Sequence, residues 1–281
     1  MNIMNTTYHF LLLFCSSLLM FLSISCEKDF LDKNPLDKPS SQVFWTSESE
    51  VESGLAGVYS RLQENFLGYE KVYYDGLTDN AWCAGGSQGN LSSMTTGSIS
   101  PGLGGALENM YASPYRAISG CNFFLENVDR ASGFLSEEEL DLYKAEVRFI
   151  RALAYFDLVQ LFGDVIIYRT YPQTLDEARI AKSTKDQVYD FIEQDLNYAI
   201  SKLPDTEYEG RAVKGSAQGL LGKVLLTREK WADAAGILKQ IIDGEKFSLS
   251  GNYAGLFLTS GQKNNPEIMF STRYLAPNNV H

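Results

Sequence analysis

SEEELDLYKAEVRFIRALAYFDLVQLFGD, running from Ser136 to Asp164, is the stretch whose reading decides the fold. It reads as one long helix. Ser136 followed three residues later by Glu139 is a capping box, in which hydroxyl and carboxylate satisfy free N–H groups of the first turn. Gly163 suits the far end, because glycine takes up left-handed backbone without penalty. Tyr143, Val147, Ile150, Ala154, Leu158 and Leu161 recur at helical spacing, and Phe149, Leu153 and Phe156 form a second apolar stripe. A helix that is apolar on two sides needs cover on two sides, so it belongs at the centre of the molecule. Arg148 and Arg151 interrupt the stripes and call for carboxylate or carbonyl partners.

Working outward, the pattern is helical nearly throughout. Ser47 and Glu50 form another capping box, with Val51, Leu55, Val58, Tyr59 and Leu62 on one face to about residue 66. A third helix is expected from about Gly105 to Asp129, where Leu107, Met110, Tyr111, Tyr115, Ile118, Asn122, Leu125 and Val128 share a face. Pro114 is expected to kink it or divide it in two. Val165 to Tyr168 reads as a short extended run. Thr184 with Gln187 caps a helix lined by Val188, Phe191, Ile192, Leu196 and Ile200, which Pro204 ends. Residues 211–244 read as an αα-hairpin, with Ala217, Leu220, Leu221, Val224 and Leu225 facing Trp231, Ala234, Leu238 and Ile241. Lys230 to Ala234 resembles the small-residue core of a tetratricopeptide (TPR) repeat. The central helix and the 184–203 helix form an earlier candidate pair. Pro266 to Thr272 reads as a β-strand. The expected fold is therefore mostly α, with TPR-like helix pairs, one long loop and a short β element near the C-terminus.

The loop is residues 67–104. It is rich in Gly and Ser, as in Gly85-Gly86-Ser87-Gln88-Gly89-Asn90, and has no long periodicity. A loop of this length inside a compact domain is either functional or disordered. It also holds Tyr73, Tyr74, Asp75, Asp79, Asn80 and Trp82, and disordered segments are poor in such aromatics. The reading is an ordered loop that presents aromatic faces beside amide and carboxylate groups. Sugar recognition needs that combination, a flat apolar face for the C–H side of the ring and polar groups for its hydroxyls. The candidate ligand contacts are Tyr73, Asp75, Asp79, Asn80 and Trp82. The plainer alternative, equally weighted for any one ring, is that Tyr73, Tyr74 and Trp82 plug the loop onto the domain.

Composition narrows the chemistry. Net charge is −11, which disfavours nucleic acid and anionic membrane surfaces as partners. The two histidines are His9, in the N-terminal apolar region, and His281, the last residue. Ser-His-Asp and Cys-His nucleophile systems and HExxH metal sites are excluded on that ground. A carboxylate-pair hydrolase is not. Asp75 to Asp79 does not match a calcium loop, and Gly85-Gly86 and Gly104-Gly105 lack the lysine of a phosphate loop. Neither cofactor nor metal is expected. Cys83 and Cys121 are either one disulfide or two buried free thiols.

At the N-terminus, residues 10–22 are an apolar run too short to span a bilayer comfortably, followed by small residues. Residues 1–25 read as a signal peptide. Leu22-Ser23-Ile24-Ser25-Cys26 resembles a lipobox, which makes Cys26 the lipidated first mature residue. Residues 26–45 then form a charged, extended tether, and residues 46–281 the helical domain.

The stretch Ala145 to Asp164 resembles the signature helix of the SusD/RagB family, surface lipoproteins that capture nutrients at the outer membrane of Bacteroidetes. Asp29-Phe30-Leu31-Asp32 with Pro35, the Leu107–Val128 pattern with Tyr111, Ile118 and Asn122, and Asp195-Leu196 with Ala199 and Leu203-Pro204 are similar to the same family. Ile166 departs from it, where the family often has proline. The resemblance covers nearly all of residues 26–275 but only the N-terminal part of a typical member, so a truncated or shortened relative is expected, truncation being favoured. It implies a SusD-like helical scaffold and a non-enzymatic, lipid-anchored outer-membrane protein, surface-exposed, that hands an oligosaccharide or a peptide to a SusC-like TonB-dependent transporter. Two other readings remain open. A membrane-anchored TPR-type adaptor would bind through the groove of residues 211–244 and be indifferent to Trp82. A glycoside hydrolase would use carboxylates such as Asp75 and Asp79 and would release new reducing ends.

Overall fold

A computed structural model describes residues 44–64, 67–82, 89–100, 105–258 and 265–274. The expected signal peptide, Cys26 and tether, and Cys83, lie outside the described residues. Trp45 onward forms one compact unit. Its α-helices are α1 (Glu48–Ser60), α2 (Gly89–Thr95), α3 (Ala106–Asn127), α4 (Glu137–Phe162), α5 (Leu175–Ala178), α6 (Lys185–Lys202), α7 (Lys214–Thr227) and α8 (Trp231–Gly244). No described helix is long and apolar enough to cross a membrane.

Helix α4 is the central helix, 26 residues and so about 39 Å long. Its capping box is formed as expected: Glu139 N–H donates to Ser136 Oγ at 3.2 Å, and Ser136 N–H donates to Glu139 Oε2 at 2.8 Å. Gly163 closes it at φ +68°, with no neighbouring atom crowding the site. The glycine is there for the backbone angle, not for space. Both apolar stripes are covered, α3 on one side and α6 on the other. Tyr111 meets Phe162 edge-on at 5.0 Å, and Tyr155 meets Phe191 edge-on at 5.4 Å. Pro114 lies within a single helix, α3, rather than between two.

Arg151 is 5% exposed, and it finds the carboxylate its position called for. It donates from Nε and Nη2 to the two oxygens of Asp195 on α6, at 2.7 and 2.8 Å. A third bond, 2.7 Å, runs from Nη1 to Asn122 Oδ1 on α3. Asn122 in turn donates to the carbonyls of Tyr168 and Thr170 at 2.8 and 3.1 Å. One buried network thus ties three helices and the return segment after α4. A planar guanidinium with five donors can serve several elements at once, which a lysine cannot. Arg148 meets an aromatic partner instead, stacked over the Tyr198 ring at 4.0 Å.

A second network joins α1, α4 and the entry to α7. Glu146, 1% exposed, accepts from Tyr59 Oη at 2.6 Å and from Arg211 Nε and Nη2 at 3.0 and 2.5 Å. Arg211 and Tyr143 both donate to Glu52, at 3.0 and 2.7 Å.

The helix pairs are as expected. In α7, Ala217, Leu220, Leu221, Val224 and Leu225 are all buried. Across from them, Ala234 is fully buried, and at Gly222 an added Cβ would fall 2.5 Å from Leu238. Small residues set this spacing. Trp231, expected in that core, is instead exposed.

The strand expected over Pro266–Thr272 is not formed. Among the described residues the sole β pairing is an isolated bridge between Val165 and Ser183. The reason lies in where the carbonyls go. Ser216 Oγ donates to Met269 O at 2.5 Å, Tyr208 Oη to Ser271 O at 3.0 Å, and Gln63 Nε2 to Arg273 O at 2.6 Å. Alternate carbonyls are taken by side chains of other elements, so the period-two pattern is real but no ladder exists. Phe270 between them packs on Phe149 of α4 at 4.7 Å.

Candidate functional site

The described residues of the 67–104 stretch, 67–82 and 89–100, include regular helical structure. Tyr69–Leu77 is a run of 3₁₀ helix, and α2 follows at Gly89–Thr95. The 3₁₀ segment is pinned at two points. Tyr74 packs, with Leu107, Leu161 and Phe162, on the buried pair Met94 and Met110. Lys71 Nζ reaches Asp157 Oδ2 on α4 at 2.9 Å and lies 5.7 Å from the Tyr74 ring centre. Burial pushes the Asp157 carboxyl above the ordinary aspartate range, against the opposing pull of Lys71.

Beyond that anchor the chain turns outward. Thr78 donates from N–H and Oγ1 to the carbonyl of Asp75 at 3.1 and 2.8 Å, and Asn80 N–H donates to Thr78 Oγ1 at 3.1 Å. This closed turn leaves Asp75, Asp79 and Asn80 exposed. Trp82 follows, with 75% of its surface open to solvent. The two readings of the aromatics divide accordingly: Tyr74 is the plug, and Trp82 is the free face. Tyr73 lies within the 3₁₀ run, and its side chain is outside the described residues.

Asp75, Asp79, Asn80 and Trp82 line none of the described cavities. A cleft of about 780 Å³ lies on the exposed side of α3 instead, walled by Tyr111, Tyr115, Tyr168 and Tyr171. The expectation that Tyr111 and Tyr115 share a face with Leu107, Met110 and Ile118 did not point to it. Both are half-buried, one side of each ring in the core and the other in the cleft. The visible signal was an excess of tyrosine, at i and i+4 in α3 and again after α4. Of the cysteines, Cys121 is a buried free thiol in α3, pushed up to about 12 by desolvation.

The arrangement is thus a helical scaffold of paired helices with a surface turn that bears an open aromatic. The family model described as "Starch-binding associating with outer membrane" matches residues 29–226, and the chain belongs to that SusD-like family. Among curated relatives, a SusD-like protein of Formosa agariphila is 30% identical over 272 residues, covering 90% of this chain and 50% of its own length. "Starch-binding protein SusD" of Bacteroides thetaiotaomicron is 28% identical over 155 residues, 52% of this chain and 26% of that protein. The solved structure of a laminarin-binding SusD-like protein superposes with a TM-score of 0.72 at 28% identity, over 80% of this chain and 50% of the other. This chain spans about half the length of the curated relatives it matches.

Proposed function

We propose that this chain captures an oligosaccharide at the outer membrane and passes it, chemically unchanged, to a SusC-type TonB-dependent transporter. The observation that carries the reading is the Asp75–Trp82 turn. An indole 75% exposed stands beside exposed Asp79 and Asn80, on a segment anchored to the core by Tyr74 and Lys71. A rigid, solvated aromatic face loses little entropy when a sugar ring stacks on it. The starch and laminarin named for two relatives are the first ligands to try. Lipidation at Cys26 would hold the protein at the membrane, facing outward. The role needs binding and release alone, and the wide exposure of the turn suits a ligand that must leave again.

The test is affinity electrophoresis of the full chain in mild detergent against starch, laminarin and a wider glycan panel, with Trp82→Ala alongside. Retention that is weakened at least tenfold in the variant supports the reading. Equal retention of starch and of laminarin in both proteins, or new reducing ends from the native protein, sinks it.

A further inference from the structure

The cleft along α3 is lined on two sides by aromatic rings held in fixed positions. Tyr115 donates to the Ile166 carbonyl at 2.8 Å, and Tyr168 to the Ala178 carbonyl at 2.7 Å. With those hydroxyls committed to backbone, each ring is locked, and it is the ring rather than the hydroxyl that faces the opening. Tyr111 and Tyr115 lie 4.9 Å apart at one end, Phe123 and Tyr171 5.4 Å apart at the other. Eight residues of helix separate Tyr115 from Phe123, about 12 Å at the helical rise, which is room for a disaccharide. Between them the helix presents Ser119 and Gly120 to the cleft, along with Ile118 and Asn122. At Gly120 an added Cβ would meet a single neighbour, Arg61 Cγ at 3.7 Å. A volume of about 780 Å³ is that of a small-molecule pocket.

Its rim is asymmetric in charge. Arg61 and Arg116 both border the cleft, and both pair with one carboxylate, Glu64. Arg116 donates from Nε to Glu64 at 2.8 Å and from Nη2 to Ser113 Oγ at 3.0 Å. Burial works to raise the Glu64 carboxyl, but the two arginines outweigh it and hold it below the ordinary range. Glu64 therefore offsets one guanidinium and leaves the other in excess. At the far end the local charge is opposite, where Glu126 accepts from the N–H of Tyr171 at 2.7 Å. On a chain of net charge −11, a positive rim over an aromatic cleft is a local reversal.

We propose that this cleft is a second saccharide site, separate from the Trp82 turn, that takes sugars bearing a carboxylate or sulfate at the Arg61–Arg116 end. Aromatic rings supply the stacking surface, and the surplus guanidinium supplies charge-assisted hydrogen bonds to the anionic substituent. The inference shares with the proposed function only the premise that the protein binds glycans.

The experiment is calorimetry of the full chain in mild detergent with oligogalacturonate, a sulfated galactan oligosaccharide, an acidic peptide and neutral laminarin oligosaccharide. The variants are Gly120→Leu, which fills the open floor, Arg61→Gln/Arg116→Gln, and Trp82→Ala, each checked for fold by circular dichroism. At least one anionic sugar is expected to bind, more weakly as salt rises. Gly120→Leu should abolish that binding and the arginine pair should weaken it about tenfold or more, while neither change should alter the binding of neutral laminarin. The carboxylated and sulfated probes separate the two anion types. Neutral laminarin bound at Trp82 with no anionic sugar bound overturns the second site and leaves the proposed function standing. Anionic binding that survives Gly120→Leu, or is matched by the acidic peptide, also overturns it. Binding at the cleft with no effect of Trp82→Ala on any glycan upholds the cleft and removes the turn from the proposed function.

Discussion

Replacing Asp195 with alanine should be among the most damaging single changes available to this fold. The residue is 2% exposed, and Arg151 beside it 5%. Asp195→Ala deletes two hydrogen bonds, of 2.7 and 2.8 Å, and leaves the guanidinium among α3, α4 and α6 with the Asn122 amide oxygen and the face of the Phe191 ring but no carboxylate. Removing one partner of a buried pair costs about 3–5 kcal/mol, mostly because the remaining charge is left without compensation. Set against a typical stability of about 5–15 kcal/mol, that is about a fifth of the total or more. With a urea slope near 2 kcal/mol/M, the unfolding midpoint should drop by about 2 M. Asp195→Asn, which keeps an acceptor, should fall between. Changing both residues, Arg151→Met with Asp195→Leu, should recover much of the loss, because no charge is then left buried. The assay is urea denaturation followed by circular dichroism. If Asp195→Ala shifts the midpoint by less than about 0.5 M, the network is not what joins the three helices and the reasoning fails.

Other expectations rest on separate features. Asp157 has its carboxyl raised by burial, so its contribution to stability is complete below the unfolded aspartate value of about 3.9 and is lost as pH rises through the folded value. Asp157→Asn should therefore gain on the native protein as pH climbs through that window, read as a difference in melting temperature that closes again in acid. A gap independent of pH would contradict the burial. Gly163→Ala should cost about 1–2 kcal/mol from the positive φ alone, since nothing crowds the position, and chemical denaturation would show it. Cys121, fully buried and raised to about 12, should resist iodoacetamide at neutral pH until the protein unfolds, with mass spectrometry as the readout.

Much of the architecture was open to reading from local pattern. Ser136 with Glu139 and Thr184 with Gln187, each pair three residues apart, and Gly163 mark helix ends, and those ends fall where expected. Helix interiors followed from apolar periodicity, since burial imposes the same 3.6-residue repeat whatever lies opposite. Three of the residues within the stretches that carried the family resemblance, Asn122, Arg151 and Asp195, form a single buried network. The loop was readable only in part. Its aromatics and acids were evident, but which ring turned inward was not. Tyr74 is held by Met94, twenty residues further along the same loop, and by Met110 of α3 beyond it.

What the sequence by itself determined were the helices, their caps, the absence of histidine chemistry from the body of the chain and the family. The tertiary structure alone decided what lies opposite each element. Pro266–Thr272 has the alternation of a strand, yet its carbonyls are taken by Gln63, Ser216 and Tyr208, the first of these 210 residues from its partner Arg273. The arginines flanking the α3 cleft are likewise 55 residues apart in sequence, counting from Arg61 to Arg116, and share Glu64 only once α3 folds beside the end of α1. Caps and periodicity depend on neighbours three or four residues away, so they are written locally. Pairings across a fold depend on where distant segments come to rest, and no local pattern carries that information.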